Sequence, residues 1–413
     1  MSQINGNDLK GMILTSKKSS YILINKLGSG SYATVWMCYV TNTKKLMAIK
    51  MFKDGENKTG NKEIEIYKTF NKSDIRNTIK MYDSFTHKNS VYIVVDLMLG
   101  SLYDIMKKGS CNNENYTNGY PLKFINKIAL QLLYSINDLH KNGIIHGDIK
   151  PENILIYGRT TDQHNLLKKL LIKTSNKRIS EVIKREMKNV NIIDSSDSES
   201  NTDLDNDLSD SQSQNDSDCS LMSNDPEPIE LIDSEKSLSD KEDTDTDTID
   251  NKFIIHLRYI EEPIVKLSDF GSCVFIDSKS KPNSIQTKYY RAPEIILGLE
   301  YGTASELWAL GCTLYELVTG EILFNPDEKP DIDDKRCILS KIYNAVGPLP
   351  KCLIDKSPLK NVFFTDEYTL KVNVYDDNKN IFMVLCEKGV HFSIVSIICN
   401  LLKVNPSDRV SIL

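Results

Sequence analysis

Residues 146–155 read HGDIKPENIL, and this stretch decides the fold. It places Asp148, Lys150 and Asn153 directly after a predicted helix C-terminus and before a short apolar strand. An aspartate can take a proton from a hydroxyl group, a lysine can hold a phosphoryl group in transfer, and the amide oxygen of an asparagine can bind a divalent metal. A loop with a purely structural role would contain one such side chain, so this order and spacing indicate phosphoryl-transfer chemistry.

A second acidic motif, SDFG at 268–271, follows the apolar run PIVKL. Asp269 supplies another carboxylate suited to Mg²⁺, and Phe270 can pack so that it sets the orientation of that side chain. Taken alone, an ordinary β-turn is the better explanation of this tetrapeptide. It gains weight because the first motif already supplies an oxygen ligand for the same metal.

A glycine-rich stretch, LGSGSYATVW at 27–36, lies upstream between two strand-like runs. Glycines at Gly28 and Gly30 let backbone N–H groups approach phosphates closely. Ala33 stands where a third glycine would complete the G-x-G-x-x-G pattern, and a plain hairpin turn explains Gly-Ser-Gly equally well. On its own, this stretch therefore leaves a phosphate-binding loop and a simple hairpin both open.

Two charged residues follow the glycine-rich stretch, thirteen positions apart. Lys50 ends the apolar strand AIK, where a cation can pair with phosphates, and Glu63 begins an amphipathic helix thirteen residues later. A solvated lysine on a strand end and a glutamate on an exposed helix face are the ordinary explanations of each residue alone.

Hydrophobic periodicity outlines two lobes. Residues 19–98 alternate short β-rich runs with Gly, Lys and Asn, which predicts an antiparallel sheet interrupted by one helix at KEIEIYKTF. After Gly100, apolar residues step by three and four through 125–139, which predicts an amphipathic helix ending near Asn142 and Gly143. SELWALGCTLYELVTG is apolar nearly all round and predicts a buried helix. The expected fold is α+β, with a small β-rich lobe before a larger α-helical lobe.

The net charge of −6 averages very different segments of the 413-residue chain. Residues 194–250 hold 20 acidic residues and two lysines, whereas residues 159–190 hold nine basic and three acidic residues. Neither segment contains an aromatic residue, and the acidic one has too few apolar groups to offset chain entropy by burial. We predict that 194–250 is disordered. The basic segment carries a weak apolar stripe at helical spacing, formed by Leu170, Ile179, Val182 and Ile183.

Composition also predicts the setting of the protein. The nine cysteines include no CxxC pair, the N-terminus lacks the apolar core of a secretory signal, and no apolar run reaches the ~18 residues that span a bilayer. We expect an intracellular protein (cytoplasm and/or nucleus) with neither a disulfide framework nor a zinc cluster. We also expect a monomer that binds neither membranes nor nucleic acid directly.

In this order the motifs resemble the signature set of the eukaryotic-type Ser/Thr protein kinases, from residue 19 to 413 without the charged insertion. QTKYYRAPEIILG resembles the CMGC group, while KEIEIYKTFNKSD, IIHGDIKPENIL and a charged spacer within the catalytic domain are most similar to the SR-protein kinase family. The resemblance implies a bilobal kinase fold, ATP and Mg²⁺ as cofactors, and protein substrates with a Ser or Thr acceptor, Arg-rich ones among them. It divides the chain into an N-terminal extension (1–18), an N-lobe (19–98), a C-lobe in two parts (99–157 and 263–413) and a largely disordered insertion (158–262).

The resemblance also implies roles for individual residues. The residues implied to bind the nucleotide are Leu27, Gly28, Ser29, Gly30, Val35, Ala48, Lys50 with its partner Glu63, the gatekeeper Val95, and the hinge residues Asp96 and Met98. The residues implied in catalysis are the base Asp148 with Lys150 and Thr287, and the Mg²⁺ ligands Asn153 and Asp269. The residues implied in recognition and in an internal ion pair of the C-lobe are Arg291, Glu294 and Arg409.

Two residues depart from the kinase pattern. Gly147 replaces the arginine that usually grips an activation-loop phosphate, so we expect activity that does not require loop phosphorylation. Glu306, one methylene longer, stands where kinases usually have an aspartate that supports the catalytic loop. The alternative function, a pseudokinase or scaffold that binds partners without turnover, rests on these departures.

Two charged segments leave further alternatives open. NPDEKPDIDD (325–334) resembles the acidic docking segment of the SR-protein kinases and would attract an Arg-rich peptide, although an ordinary solvated acidic loop explains it equally well. The insertion is an inert spacer, a localisation or partner segment, or an autoregulatory segment whose basic part contacts its acidic part or the substrate site. We expect deletion of 159–250 to leave the core folded and active.

Overall fold

The structure is a computed structural model of the chain. It describes residues 9–70, 73, 75–109, 120, 122–157, 176–185, 188, 263–278, 285–326, 332–373 and 380–409. The predictions for Leu170, for the acidic stretch 194–250 and for residues 327–331 of the acidic segment lie outside the described residues.

The small lobe is a six-stranded antiparallel sheet with one helix packed against it. Its strands are β1 (Ile13–Thr15), β2 (Ser20–Ser29), β3 (Ala33–Val40), β4 (Lys45–Phe52), β5 (Met81–His87) and β6 (Ser90–Val95), in the order β1-β2-β3-β4-β6-β5, and helix α1 (Asn57–Phe70) follows β4. Strand β1 lies within the predicted N-terminal extension, because Leu14 pairs with Tyr21 of β2 and is fully buried. The sheet therefore begins earlier than the expected boundary at residue 19.

Sheet register places the glycine-rich stretch beside the lysine. Gly28 lies opposite Val35, and Val35 lies opposite Lys50, so the three residues form one row across β2, β3 and β4. Ala48 lies opposite Val95 at the end of β6, next to the segment that leads into the large lobe.

The large lobe is mainly helical. Its helices are α2 (Leu102–Gly109), α3 (Leu122–Lys141), α4 (Pro293–Ile296), α5 (Thr303–Thr319), α6 (Asp334–Ala345), α7 (Lys351–Lys356), α8 (Lys360–Phe363), α9 (Ile381–Glu387) and α10 (Phe392–Leu401). The apolar stripe predicted on α3 is buried, and Gly143 just beyond the helix has φ +70°, a conformation that suits glycine. The helix predicted to be buried is α5, which is covered continuously from Ser305 to Thr319.

Five short strands position the two acidic motifs. They are β7 (Gly100–Ser101), β8 (Ile144–Ile145), β9 (Ile154–Tyr157), β10 (Ile264–Leu267) and β11 (Val274–Phe275). HGDIKPENIL connects β8 to β9, and SDFG connects β10 to β11. Because β9 pairs with β10 and β8 pairs with β11, both connections emerge on the same side and face each other.

Part of the charged insertion is ordered against the small lobe. Residues 177–185, here called the insertion helix, are helical, and their side chains Ile179, Val182 and Ile183 are buried. The predicted apolar stripe is therefore present and buried at these three positions. Among the described residues, no helix has the length and apolar character needed to cross a membrane.

Candidate active site

An ion-pair network joins the sheet, α1 and the SDFG turn. Lys50 Nζ lies 2.7 Å from Glu63 Oε2 and 2.9 Å from Asp269 Oδ1. Burial opposes the charge on Lys50, but the two carboxylates outweigh it and hold the pKa of Lys50 above its usual value. Burial likewise opposes the charge on Asp269, yet Lys50 keeps the pKa of this carboxyl below its ordinary range. The Asp269 side chain is 47% exposed whereas that of Glu63 is 1% exposed, so the open side of the network is Asp269.

The orientation of Asp269 is fixed by aromatic packing. Its backbone has φ +63°, a left-handed conformation that residues other than glycine rarely adopt. The fully buried ring of Phe270 lies 5.2 Å from the ring of Tyr67 on α1 and 5.3 Å from the ring of His146. The sequence suggested that Phe270 packs in this way, but Tyr67 and His146 were not singled out as its partners. These edge-to-face ring contacts link α1, the SDFG turn and the HGDIKPENIL loop.

Asp148 is held from three sides. Thr287 Oγ1 donates to Asp148 Oδ1 over 2.7 Å, and the Lys150 ammonium lies 2.8 Å from Asp148 Oδ2. Lys150 also donates to Thr287 Oγ1 over 2.8 Å, which closes a triangle of contacts. The amide nitrogen of Asn153 donates to the Asp148 backbone oxygen over 2.8 Å and to its carboxylate over 3.0 Å, and the amide oxygen takes part in neither bond.

Gly147 is the point where three segments meet. Its N–H donates to Glu306 Oε1 over 2.8 Å, and its carbonyl accepts from the N–H of Gln286 over 2.9 Å. Its φ is +83°, and a Cβ added here would lie 2.8 Å from the carbonyl oxygen of Ser272. An arginine at this position is therefore excluded by the backbone geometry of this chain, in addition to being absent from its sequence.

The longer Glu306 side chain reaches two partners. While Oε1 accepts from Gly147, Oε2 lies 2.7 Å from Nε2 of His140 at the end of α3. Burial favours the neutral carboxyl, but His140 and the Gly147 N–H outweigh it and lower the pKa of Glu306. Glu306 thus ties the end of α3 to the catalytic loop. Sequence reasoning flagged Glu306 but missed His140.

Residues 285–292 are fastened by contacts within the chain. Gln286 has φ +69°, its side-chain oxygen accepts from the Ala292 N–H over 2.9 Å, and its side-chain nitrogen donates to the Ser305 carbonyl over 2.8 Å. Arg291 donates to the carbonyls of Ile285 over 3.2 Å and Gln286 over 2.9 Å. Arg291, which the resemblance linked to recognition, therefore makes backbone contacts that hold the segment before Thr287.

The predicted ion pair of the large lobe is fully buried. Arg409 forms two bonds to Glu294, of 2.7 and 2.8 Å, and the two side chains are 0% and 2% exposed. The structure thus brings together two residues that lie 115 positions apart in sequence.

The residues assigned to the nucleotide lie on the glycine-rich hairpin of β2 and β3 and on the neighbouring strands β4 and β6. Gly30 N–H donates to the Ala33 carbonyl over 2.8 Å, which closes the turn. A Cβ added at Gly28 would meet nothing within 4 Å, so the space above this glycine is open. Leu27 and Val35 are partly buried against the main core, Ala48 and Val95 are buried in it, and Ser29 is exposed.

The hinge residue Asp96 uses its side chain to join the lobes. One carboxylate oxygen accepts from Lys266 Nζ over 2.7 Å and from the Lys80 N–H over 3.0 Å, and the other accepts from the Tyr82 hydroxyl over 2.7 Å. These bonds outweigh the effect of burial and lower the pKa of Asp96. Its carboxylate is therefore already engaged, while nearby Met98 is buried. Sequence reasoning missed Lys266.

Two residues of the acidic segment are paired within the chain. Asp333 caps α6 by accepting from the Arg336 N–H over 3.0 Å, and its carboxylate also pairs with the Arg336 guanidinium. Asp334 lies 2.9 Å from Lys288 Nζ, and both side chains are exposed. The last two residues of the acidic segment thus form the start of α6, and Asp334 lies next to Lys288, the residue that follows Thr287.

Comparisons with known proteins agree with this geometry. A family model described as the protein kinase domain matches residues 21–173 and 252–413. A candidate serine/threonine-protein kinase of Acanthamoeba polyphaga mimivirus is 28% identical, over 88% of this chain and 78% of that protein. The serine/threonine-protein kinase SRPK of Physarum polycephalum is 27% identical, over 86% of this chain and 73% of that protein. A crystal structure of a kinase domain has the same fold, with a TM-score of 0.62 at 21% identity, covering 98% of this chain and 94% of the other.

Proposed function

The chain belongs to the protein kinase domain family and is a serine/threonine protein kinase, and we propose that it transfers the γ-phosphoryl group of ATP to Ser or Thr in Arg-rich protein segments. The observation that carries the chemistry is the triangle of Asp148, Lys150 and Thr287. It surrounds one carboxylate with a cation and a hydroxyl while the Asp148 side chain remains partly accessible. Few other activities need a base and a cation held at this separation.

In the proposed mechanism Asp148 orients the acceptor hydroxyl and takes its proton as the phosphoryl group arrives. Thr287 bonds to Oδ1 of Asp148 while Lys150 and Asn153 contact Oδ2, so the carboxylate is held in one orientation, in which it would meet the acceptor hydroxyl. Lys150 lies 2.8 Å from the carboxylate, and its charge would offset the negative charge that develops on the phosphoryl oxygens. Catalysis is mainly positioning and charge stabilisation, and a short aliphatic hydroxyl fits beside this triangle.

The donor chemistry fits Mg²⁺. Asn153 and Asp269 each offer one side-chain oxygen, and Mg²⁺ in kinases is bound by one or two protein oxygens together with substrate phosphates. When bound, the ion would neutralise phosphate charge. Asn153 and Asp269 would hold it opposite Lys50.

ATP is the phosphoryl donor of this family, and three features of the small lobe suit it. The open space above Gly28 lets backbone N–H groups face phosphates. Lys50, held as a cation by Glu63, would contact the phosphates nearer the nucleoside. The Ala48–Val95 pair presents a small apolar surface for the base.

The Arg-rich substrate class is supported by the position of the acidic segment. Asp334, the last residue of the acidic segment, lies 2.9 Å from Lys288, which directly follows Thr287, so this end of the segment is near the proposed acceptor site. A cluster of carboxylates there would attract a basic peptide and set its register. The relative from Physarum polycephalum carries the name SRPK, which favours the same class.

An arrayed peptide phosphorylation assay on the full chain tests this proposal. We expect Arg-Ser repeats to be phosphorylated in preference to Ser-Pro, Thr-Pro and acidic peptides. A preference for Ser/Thr-Pro would contradict the substrate class while leaving the kinase activity intact. The matched control is Asp148→Asn, which should lower kcat by about 10²–10⁴-fold and leave nucleotide binding unchanged. If the wild type shows no phosphoryl transfer above the level of the Asp148→Asn variant, the alternative, a pseudokinase that binds partners without turnover, is favoured.

We also propose activity without loop phosphorylation. Gln286 and Arg291 fasten the segment before Thr287 through bonds to backbone groups and need no phosphate. Gly147 offers no cation to a phosphate, and its backbone conformation excludes one. Phosphatase treatment should leave the phosphorylation rate unchanged, and loss of most activity after treatment would refute this proposal.

A further inference from the structure

The insertion helix has a capped N-terminus and one apolar face that is buried against the rest of the protein. Asn176 caps it, because its side-chain oxygen accepts from the Ile179 N–H over 3.2 Å. The side chains Ile179, Val182 and Ile183 follow at spacings of three and four, and they are 1%, 8% and 0% exposed. Such near-complete burial at helical spacing defines one apolar face turned toward the protein.

The face packs on the hairpin that carries the glycine-rich turn. Ile179 and Ile183 belong to the main buried cluster, which runs through both lobes and includes Ile22 and Ile24 of β2 and Tyr39 of β3, and the contacts at the two ends of the helix place it on this hairpin. Ile22 and Tyr39 are paired across the hairpin, so the helix lies against its base. Gly28 and Val35 lie farther along the same two strands, toward the turn.

Polar contacts fix both ends of the insertion helix. At its start, Asn176 lies so close to Gly11 that an added Cβ would be 2.9 Å from the side-chain nitrogen, and the Gly11 N–H bonds to the carbonyl of Leu23 in β2. At its end, Arg185 donates to the Tyr39 hydroxyl over 2.5 Å and stacks with its guanidinium carbon 5.3 Å from the ring centroid.

These end contacts show that the helix crosses the hairpin. Leu23 pairs with Cys38, the residue before Tyr39, so the two anchoring points lie on opposite sides of the β2–β3 pair. Two strand spacings amount to about 10 Å, and nine helical residues extend about 13 Å. The helix is therefore long enough to span from the N-terminal segment across β2 to β3 at an oblique angle.

The edge of the sheet beside the hairpin is short. Beyond β2 the sheet ends with the three residues of β1. The β2–β3 pairing also contains two register shifts, between Leu23 and Asn25 and between Lys26 and Gly28, and such irregularities bend and twist a strand locally. A brace across the base would restrict the orientations that the glycine-rich turn can adopt.

From these contacts we propose that the insertion helix positions the nucleotide-binding hairpin, so that residues Ile183 and Arg185 favour ATP binding without touching ATP. The proposal rests on the proposed function, because the hairpin is taken to cover the nucleotide. A hairpin that is ordered before binding loses less conformational entropy when the nucleotide arrives, and its affinity is correspondingly higher. Within the insertion, this role belongs to residues 176–185.

The test compares point variants in the full chain. Ile183→Ser should raise the Kd for Mg-ADP, measured by calorimetry, and the KM for ATP by about fivefold to tenfold, as loss of preorganisation does. The kcat at saturating ATP and the KM for peptide should stay near wild type. Ile183→Val keeps most of the apolar surface and should restore wild-type nucleotide affinity.

Because Ile183→Ser could impair folding, a second pair of variants, in which one basic residue each is replaced by alanine, tests the proposal independently. Arg185→Ala removes the contact to Tyr39, whereas Lys184→Ala removes an exposed cation from the adjacent position. We expect Arg185→Ala to raise the Kd for Mg-ADP by about twofold to threefold, which corresponds to the loss of one partly exposed polar contact. Lys184→Ala should leave this Kd unchanged. Hydrogen exchange across 20–40 should quicken in Arg185→Ala only.

The proposal would be overturned if hydrogen exchange at 177–185 became faster in both Ile183→Ser and Arg185→Ala while their nucleotide affinity stayed unchanged. The faster exchange would show that the helix had loosened. Equal effects of Lys184→Ala and Arg185→Ala would overturn it too. Because the Kd for Mg-ADP is read without phosphoryl transfer, failure of the wild type to phosphorylate any peptide would refute the proposed function alone.

Discussion

Two buried ion-pair networks, one in each lobe, differ in how completely their charges are satisfied. In the small lobe, Lys50 binds both Glu63 and Asp269, but the Asp269 side chain is 47% exposed. In the large lobe, Arg409 and Glu294 are 0% and 2% exposed and form two bonds with each other.

The second network is also saturated by its neighbours. Arg409 donates to the carbonyls of Lys403 over 2.8 Å and Ala304 over 2.9 Å, and Glu294 accepts from the Ser305 hydroxyl over 2.6 Å. A buried charge with every hydrogen bond made has nothing left to offer a ligand, so this network serves the fold. A carboxylate that is left half open beside a cation can take a metal and phosphates, so the small-lobe network serves the reaction.

The largest expected effect is on stability, in the saturated network. Arg409→Met leaves Glu294 buried without a cation, and we expect the free energy of unfolding to fall by about 3–5 kcal/mol. Chemical denaturation followed by fluorescence measures it. The double variant Arg409→Met with Glu294→Leu removes both charges and should recover part of the loss. If Arg409→Met unfolds at the wild-type denaturant concentration, the saturated pair does not serve the fold and the comparison fails.

The next effect is on catalysis, in the open network. Asp269→Asn keeps the size of the side chain and a residue type that tolerates positive φ, while it removes the charge that would hold Mg²⁺. We expect kcat to fall by about 10²–10³-fold, and the free energy of unfolding to change by less than about 1 kcal/mol because the side chain is half exposed. Steady-state kinetics and denaturation of the same sample check both statements. A stability loss as large as that of Arg409→Met would erase the distinction between the two networks.

Glu306 lies between these extremes, because it is buried and saturated yet touches the catalytic loop. Glu306→Asp cannot reach both His140 and the Gly147 N–H, so we expect a loss of about 1–3 kcal/mol in unfolding free energy together with a lower kcat. Glu306→Gln retains both contacts and serves as the control. Equal stability of the Asp variant and the wild type would show that one contact suffices.

The same residue gives a pH test with a definite sign. Since the folded state lowers the pKa of Glu306 below its ordinary value of 4.5, its contribution to stability is present above about pH 4.5 and is lost as the pH falls through the folded-state value. The difference in unfolding free energy between wild type and Glu306→Gln should therefore stay constant from pH 7 to about pH 4.5 and shrink as the pH falls further. A difference that grows on acidification would contradict the direction of this shift.

The comparison also shows which features a sequence can reveal. The helix periodicity of α3 and α5 and the local motifs around Asp148 and Asp269 are properties of short segments, and the fold follows from them. The contact of His140 with Glu306 spans 166 positions and leaves no local pattern. The clash that excludes a side chain at Gly147 comes from the carbonyl of Ser272, which sequence alone does not place nearby.

In the small lobe, a short apolar pattern that predicts little by itself becomes a buried face through tertiary packing. Three apolar residues of the insertion helix form a stripe too short to predict docking, and their burial follows from packing against distant parts of the chain. Strand β1 was missed for a similar reason, because its three residues gain their stability from pairing with β2.

The smallest effect concerns an exposed pair that is neither saturated nor buried. Lys288 and Asp334 are 41% and 57% exposed and lie 2.9 Å apart beside Thr287. Lys288→Ala should leave the thermal unfolding midpoint unchanged, because exposed pairs contribute little to stability. It should also release Asp334 to a basic peptide and lower the KM for an Arg-Ser substrate by about twofold to threefold, a gain that salt would screen. Asp334→Ala should raise that KM instead. If both variants shift the KM in the same direction, Asp334 does not contact the peptide, and the acidic segment is an ordinary solvated loop.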